Sequence, residues 1–143
     1  MRLWIAAVIF GVTTLSAQAQ VDDLVEYSKS VKCLAEVVYR ESRGEPYVGK
    51  LAVAKVVMNR VQHPKYPKTV CKVIFQDKQF SWVSKFKHFK HTEEFRQIAE
   101  NILAGNHNLH NFKATHFHAR YVAPRWRLKR TAIIGNHIFY QET

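Results

Sequence analysis

Glu41 is the residue with the most chemistry open to it. It precedes the polar turn Arg43-Gly44-Glu45-Pro46, after a run in which Leu34, Ala35, Val38 and Ser42 recur at helical spacing. Gly44 is able to close a helix in the left-handed conformation, and Pro46 disfavours helix through the residue before it. Glu41 is therefore expected in the last helical turn, against the negative end of the helix dipole. A carboxylate gains nothing there and a protonated carboxyl is favoured. Partial desolvation beside Tyr39 would raise its pKa further, which suits a general acid that protonates the leaving oxygen of a glycosidic bond. The residues alone equally allow a surface or salt-bridged Glu. Glu45 would share a helix face with Glu41 only if the helix continued, and Gly44 and Pro46 oppose that.

The histidines offer a rival chemistry. His116-x-His118 would place two imidazoles on one strand face, a start for a zinc or nuclease site with His107, His110 or His137 as third ligand. Against it, there is no HExxH, no acidic residue close to the pair, and Arg120 falls on the same face; a polar groove lining is the other reading. Phe80 and Trp82, interleaved with Gln79 and Ser81, make the mixed aromatic and polar surface that sugar rings favour, or else an aromatic core loop. The segment Lys85-Phe-Lys-His-Phe-Lys-His91 alternates basic and aromatic residues. The chain has no Gly-rich phosphate loop, nucleophile elbow or Cys-x-x-Cys.

These groups must be positioned by a small chain. Residues 1–19 carry one positive charge, an apolar run from Leu3 to about Val12, and Ala17-Gln18-Ala19 as a small-x-small cleavage site, the pattern of a secretory leader. The run is shorter than the ~20 residues of a membrane span, so no stable span is expected after cleavage. Residues 20–143 suffice for one domain. All eleven acidic residues and all but Arg2 of the twenty-two basic ones lie there, a formal charge of +10. Such a charge favours an anionic polymer: nucleic acid, lipid headgroups or bacterial wall. The basic residues are scattered rather than gathered on one recognition helix, so nucleic acid is not the expected partner. In an oxidising compartment Cys33 and Cys71 are placed to form a disulfide, with two buried thiols as the alternative.

The elements follow from periodicity. Helices are expected over residues 28–42, after a lead-in at 21–27, and over residues 47–61, where Ala52, Val53 and Ala54 permit close packing at the centre of the core. Asn59 and Arg60 are expected to hold the exit of this second helix. Pro67 suits the first turn of a short helix through Ile74. Thr92 reads as an N-cap, with Phe95, Ile98, Ala99, Ile102 and Leu103 forming the stripe of a helix that ends near Gly105. Residues 114–122 alternate as a strand, and 132–140 as its antiparallel partner, interrupted at Gly135-Asn136.

Taken together, Tyr39-x-Glu41-Ser42-Arg43-Gly44-Glu45-Pro46-x-x-Gly49 and Ala52-Val53-Ala54-x-Val56-x-x-Asn59-Arg60-Val61 resemble the signature of the SleB/CwlJ-type cell wall hydrolases. So do Pro67-x-Thr69-Val70-Cys71-x-Val73-Ile74, Gln79-Phe80-Ser81, Thr115-His116-Phe117-His118, Pro124-x-Trp126 and Ile134-Gly135-x-His137-x-Phe139-Tyr140. The family usually has Ala where this chain has Ser42. The resemblance implies an α+β domain, mainly helical and lysozyme-like or lytic-transglycosylase-like, with a small antiparallel sheet. It further implies cleavage of peptidoglycan between N-acetylmuramic acid and N-acetylglucosamine. The family's essential acid falls on Glu41, giving 1,6-anhydro-muramic ends; a water-dependent muramidase, a noncatalytic wall-binding protein and a secreted nucleic-acid binder are the alternatives. Tyr39, Gln79, Phe80, Ser81, Trp82, His116, His118 and Trp126 are the expected substrate-binding residues, while Arg43, Glu45, Asn59 and Arg60 are expected to support the site, Glu45 by orienting the turn through Arg43 or backbone amides. The expectation is an exported monomer acting on glycan strands in the periplasm or cell wall, without metal or cofactor; the sequence identifies no regulatory partner.

Overall fold

The computed structural model describes residues 12–142. Helices α1 (Val12–Ser42), α2 (Tyr47–Gln62), α3 (Val70–Ile74) and α4 (Glu93–Leu103) precede a sheet of β1 (His116–Ala119), β2 (Lys129–Ile134) and β3 (His137–Gln141). A 3-10 turn, Val83–Lys85, lies between α3 and α4.

The first helix departs from expectation by starting early: residues 21–27 are helical rather than a lead-in. No Gly or Pro interrupts residues 12–42, so local propensity alone carries the helix outward, although residues 15–29 are exposed. Most of the apolar leader lies outside the described residues, and the expected cleavage point at Ala19 falls within α1. No helix among the described residues is long and apolar enough to cross a membrane. From Val31 onward α1 enters the core, with Leu34, Ala35, Val37 and Val38 fully buried.

The core forms around α2, whose Ala52, Val53, Ala54, Val56 and Val57 are all fully buried. Their small volume lets α1, α3 and α4 approach it closely, and a helix apolar on nearly every side is stable only when surrounded in this way. The α4 stripe of Phe95, Ile98, Ala99 and Ile102 is buried as its spacing predicts. Thr92 caps α4 by position but makes no side-chain capping bond. Pro67 precedes α3 instead of opening it: Thr69 is the N-cap, its hydroxyl accepting the Lys72 N–H at 3.4 Å. A disulfide joins Cys33 of α1 to Cys71 of α3, with Cα atoms 5.4 Å apart.

Gly44 does not take the left-handed conformation. The turn after α1 is closed by Glu45 N–H donating to the Ser42 carbonyl at 2.9 Å, and the glycines with positive φ are Gly105, at the end of α4, and Gly135. Gly135 (φ 56°) splits the expected single strand into a hairpin, so β3 runs between β1 and β2 in an antiparallel sheet of order β1-β3-β2. β1 ends at Ala119, which leaves Arg120 and Tyr121 in a turn outside the strand. Phe117 and Phe139 pair across one face toward the core, while His116 pairs with Tyr140 on the other.

Candidate active site

Glu41 ends α1 half-buried, and its Oε1 accepts the indole N–H of Trp82 at 2.8 Å. Burial raises the carboxyl pKa; the Trp82 hydrogen bond and the charge of Arg60 oppose it without cancelling the rise. An indole N–H only donates. Oε1 must therefore act as acceptor, which leaves Oε2 to carry the proton when Glu41 is neutral. Trp82 is itself fixed by rings: Phe80 stacks on it at 6.0 Å, Phe75 and Phe86 contact it at 6.1 and 6.0 Å, and the Arg40 guanidinium lies 4.8 Å from its centroid.

One turn earlier on α1 is a carboxylate that the sequence reading overlooked. Glu36 is fully buried and saturated with donors: Arg40 Nε at 2.6 Å on Oε1, then Lys90 N at 2.7 Å, His91 N at 3.0 Å and His91 Nδ1 at 3.0 Å on Oε2. Burial pushes its pKa up, but these bonds together outweigh burial and hold it below the ordinary carboxyl value. The available signal was its setting. Residues 33–38, Cys-Leu-Ala-Glu-Val-Val, are apolar but for this Glu, and a charge within an all-round apolar stretch requires a partner. Arg40 was missed with it.

The other expected residues disperse. Tyr39 leaves α1 some 200° around from Glu41 at the helical ~100° per residue and packs edge-on against Phe95, with Arg43 over its ring at 5.3 Å. Trp82, not Tyr39, is the aromatic side chain bonded to Glu41. Phe80 is 6% exposed and belongs to the core beneath Trp82, not to an open groove wall. Gln79 is half-buried and Ser81 exposed in the same segment. Asn59 donates to the Phe112 and Ala114 carbonyls at 2.9 and 2.8 Å, and Arg60 Nε to the Thr115 carbonyl at 2.7 Å, fastening α2 to the entry of β1. Glu45 reaches the sheet, where its Oε2 accepts the Asn136 N–H at 2.8 Å, while Arg43 is turned toward Tyr39.

His116 and His118 occupy the outer sheet face with Trp126, which meets their rings at 5.4 and 5.6 Å and Tyr140 at 5.7 Å. His118 Nε2 bonds the Tyr140 hydroxyl at 2.9 Å, a pairing across the sheet that local spacing does not record. No group of three or more His, Cys, Asp or Glu able to hold a metal occurs among the described residues. Arg60 relates this face to Glu41: its charge acts on both Glu41 and His116. A cavity of about 380 Å³ is lined by Asn59, His63, Lys113, Thr115 and Glu142 among others and does not include Glu41.

The chain is similar to known proteins over most of its length. The Cell Wall Hydrolase family profile matches residues 44–140, beginning three residues after Glu41. The spore cortex-lytic enzyme of Bacillus cereus is 33% identical over 119 residues, covering 79% of this chain and 45% of the relative; that of Bacillus subtilis is 32% identical, covering 78% and 37%. The chain thus spans less than half the length of these curated relatives. The crystal structure of the catalytic domain of the Bacillus cereus SleB protein superposes with a TM-score of 0.70 at 31% identity, covering 80% of this chain and 91% of that one. The catalytic domain of the germination-specific lytic transglycosylase SleB from Bacillus anthracis gives 0.68 at 31% identity, covering 78% and 93%.

Proposed function

The chain belongs to the Cell Wall Hydrolase family, shares the mainly helical α+β fold of the SleB catalytic domains, and from this we propose that it is an exported enzyme cleaving peptidoglycan glycan strands between N-acetylmuramic acid and N-acetylglucosamine. Glu41 is the general acid and then the general base. Protonated, it delivers its proton to the glycosidic oxygen as the bond to the muramic anomeric carbon breaks. As carboxylate, it takes the proton of the muramic 6-hydroxyl while that oxygen bonds to the same carbon. The product is a 1,6-anhydro sugar, and no water is consumed.

The observation that carries this reading is the state of Glu41: a half-buried carboxyl at a helix C-terminus, its pKa raised, with one oxygen tied to Trp82 and the other left for the proton. A carboxyl whose pKa is raised keeps its proton more readily than an ordinary one and still ionises once the leaving group has taken that proton. A retaining hydrolase would need a second carboxylate as nucleophile. Glu45, the nearest in sequence, is engaged by the backbone of the β2–β3 hairpin, which supports intramolecular attack. Trp82 provides an apolar wall beside the acid, and Trp126 with His116 and His118 offers a second sugar-sized surface on the sheet. The positive charge draws the enzyme to an anionic wall.

Clearing of a purified peptidoglycan suspension by residues 20–143 tests the assignment. Glu41→Gln is expected to reduce the rate by at least about 10³-fold with an unchanged melting temperature. Activity within a few-fold of the unaltered protein would remove Glu41 from the chemistry.

A further inference from the structure

The basic and aromatic segment 85–91 has no place in the mechanism above, yet it encloses a second, smaller cavity. This cavity, about 80 Å³, is lined by Arg40, Lys85, Lys87, His88 and Lys90 and by no acidic residue. Arg40 is the side chain in it that is held rigidly. Its Nε bonds buried Glu36 at 2.6 Å, its Nη2 donates to the His88 carbonyl at 3.3 Å, and its flat face covers Trp82 and Phe86 at 4.8 and 5.7 Å. Nη1 has no protein acceptor among the described residues, and it is not among the buried polar atoms left without a partner. Glu36 offsets one positive charge. Lys85, Lys87 and Lys90 take part in no ion pair among the described residues, and residues 78–92 contain no Asp or Glu.

We propose that this cavity is an oxyanion subsite that receives a carboxylate of the peptide stems carried by the glycan strand, with Arg40 as its fixed floor and Lys85, Lys87 and Lys90 as its rim. The inference rests on the reading of the chain as a glycan-cleaving enzyme. The cavity is small, about 80 Å³, and a single carboxylate fits among its cationic side chains. A guanidinium with its position set and N–H groups free is the donor best matched to a planar carboxylate. Glu36 supplies the preorganisation: buried, with donors on both oxygens, it holds Arg40 and the 88–91 backbone in one arrangement. The location agrees with the substrate. The Trp82 indole links the cavity to the acid, its ring against Arg40 and its N–H against Glu41. A peptide branching from a muramic residue beside the cleaved bond would bring its carboxylates to this side of the indole.

The test compares two substrates: glycan strands bearing their stems, and the same strands freed of stems by an amidase. The unaltered protein is expected to show a lower KM on stem-bearing strands. Lys87→Gln/Lys90→Gln, both at exposed positions, should raise that KM about threefold or more, with KM on stem-free strands unchanged. Stem-bearing strands whose peptide carboxylates have been amidated should behave as stem-free ones. Equal KM values for both substrates in the unaltered protein, or variants that raise both alike, would overturn the subsite. Failure of the catalytic reading is separate, since Glu41→Gln would then retain activity on both substrates. If free phosphate, but not a stem peptide, competes with stem-bearing strands and its effect is lost in Lys87→Gln/Lys90→Gln, the site is a phosphate site and the proposal falls.

Discussion

At the scale of single residues, the chemistry turns on the proton of Glu41. The rate of a reaction that needs Glu41 protonated falls as pH rises through its pKa. Burial raises that pKa, and the Trp82 N–H, by favouring the carboxylate, restrains the rise. Trp82→Phe removes the N–H and keeps an aromatic ring. The alkaline limb of the pH–rate profile should then move to higher pH, and kcat should fall about tenfold as the carboxyl loses its orientation. An unmoved or lowered limb would show that the indole does not act on Glu41. At this scale the sequence was half legible. Gly44 and Pro46 located Glu41 at a helix end, because turn chemistry is local. The partner 41 residues away, the Arg40 cation over its ring and the donors on Glu36 are products of packing between distant segments, which local spacing does not record. Tyr39 shows the converse error: adjacent in sequence, it points away by helical geometry.

At the scale of elements, the contact between the α1–α2 turn and the β2–β3 hairpin decides how the sheet sits against the acid-bearing helix. Glu45 reaches the Asn136 N–H, and a Cβ on Gly135 would come within 2.0 Å of Glu45 Oε2, on a backbone whose positive φ already disfavours side chains. Gly135→Ala should therefore destabilise the fold by at least about 1–2 kcal/mol in denaturant titration and lower activity. Gly44→Ala is its control: the new Cβ meets nothing within 4 Å and the φ is not positive, so stability should hold or rise by up to about 1 kcal/mol. Equal losses would contradict the role given to the hairpin contact. The helices after residue 30 were legible because apolar periodicity and burial are the same fact seen twice. The hairpin was only half legible, since Gly135-Asn136 reads as an interruption and only pairing with β1 shows that β3 is the central strand. The start of α1 was not legible, because exposed helix leaves no apolar stripe.

Across the whole molecule, charge is distributed unevenly. No acidic residue occurs between 101 and 141, and Arg120, Arg125, Arg127, Lys129 and Arg130 are all exposed. If this charge draws the protein to the wall, sedimentation with purified peptidoglycan should weaken steeply as salt is raised from about 50 to 500 mM. Replacing Arg125, Arg127, Lys129 and Arg130 by Gln should flatten that dependence; binding indifferent to salt would count against it. The overall charge was plain in the sequence, whereas its placement beside the His116, His118 and Trp126 face required the sheet.

The most direct measurement is mass spectrometry of muropeptides released from purified peptidoglycan by residues 20–143, beside Glu41→Gln, in water enriched in heavy oxygen. Internal attack by the 6-hydroxyl predicts 1,6-anhydro-muramic ends, each lighter than a reducing end by one water and free of heavy oxygen, formed only when Glu41 is present. Reducing ends carrying heavy oxygen, equally dependent on Glu41, would contradict internal attack and make the enzyme a hydrolysing muramidase.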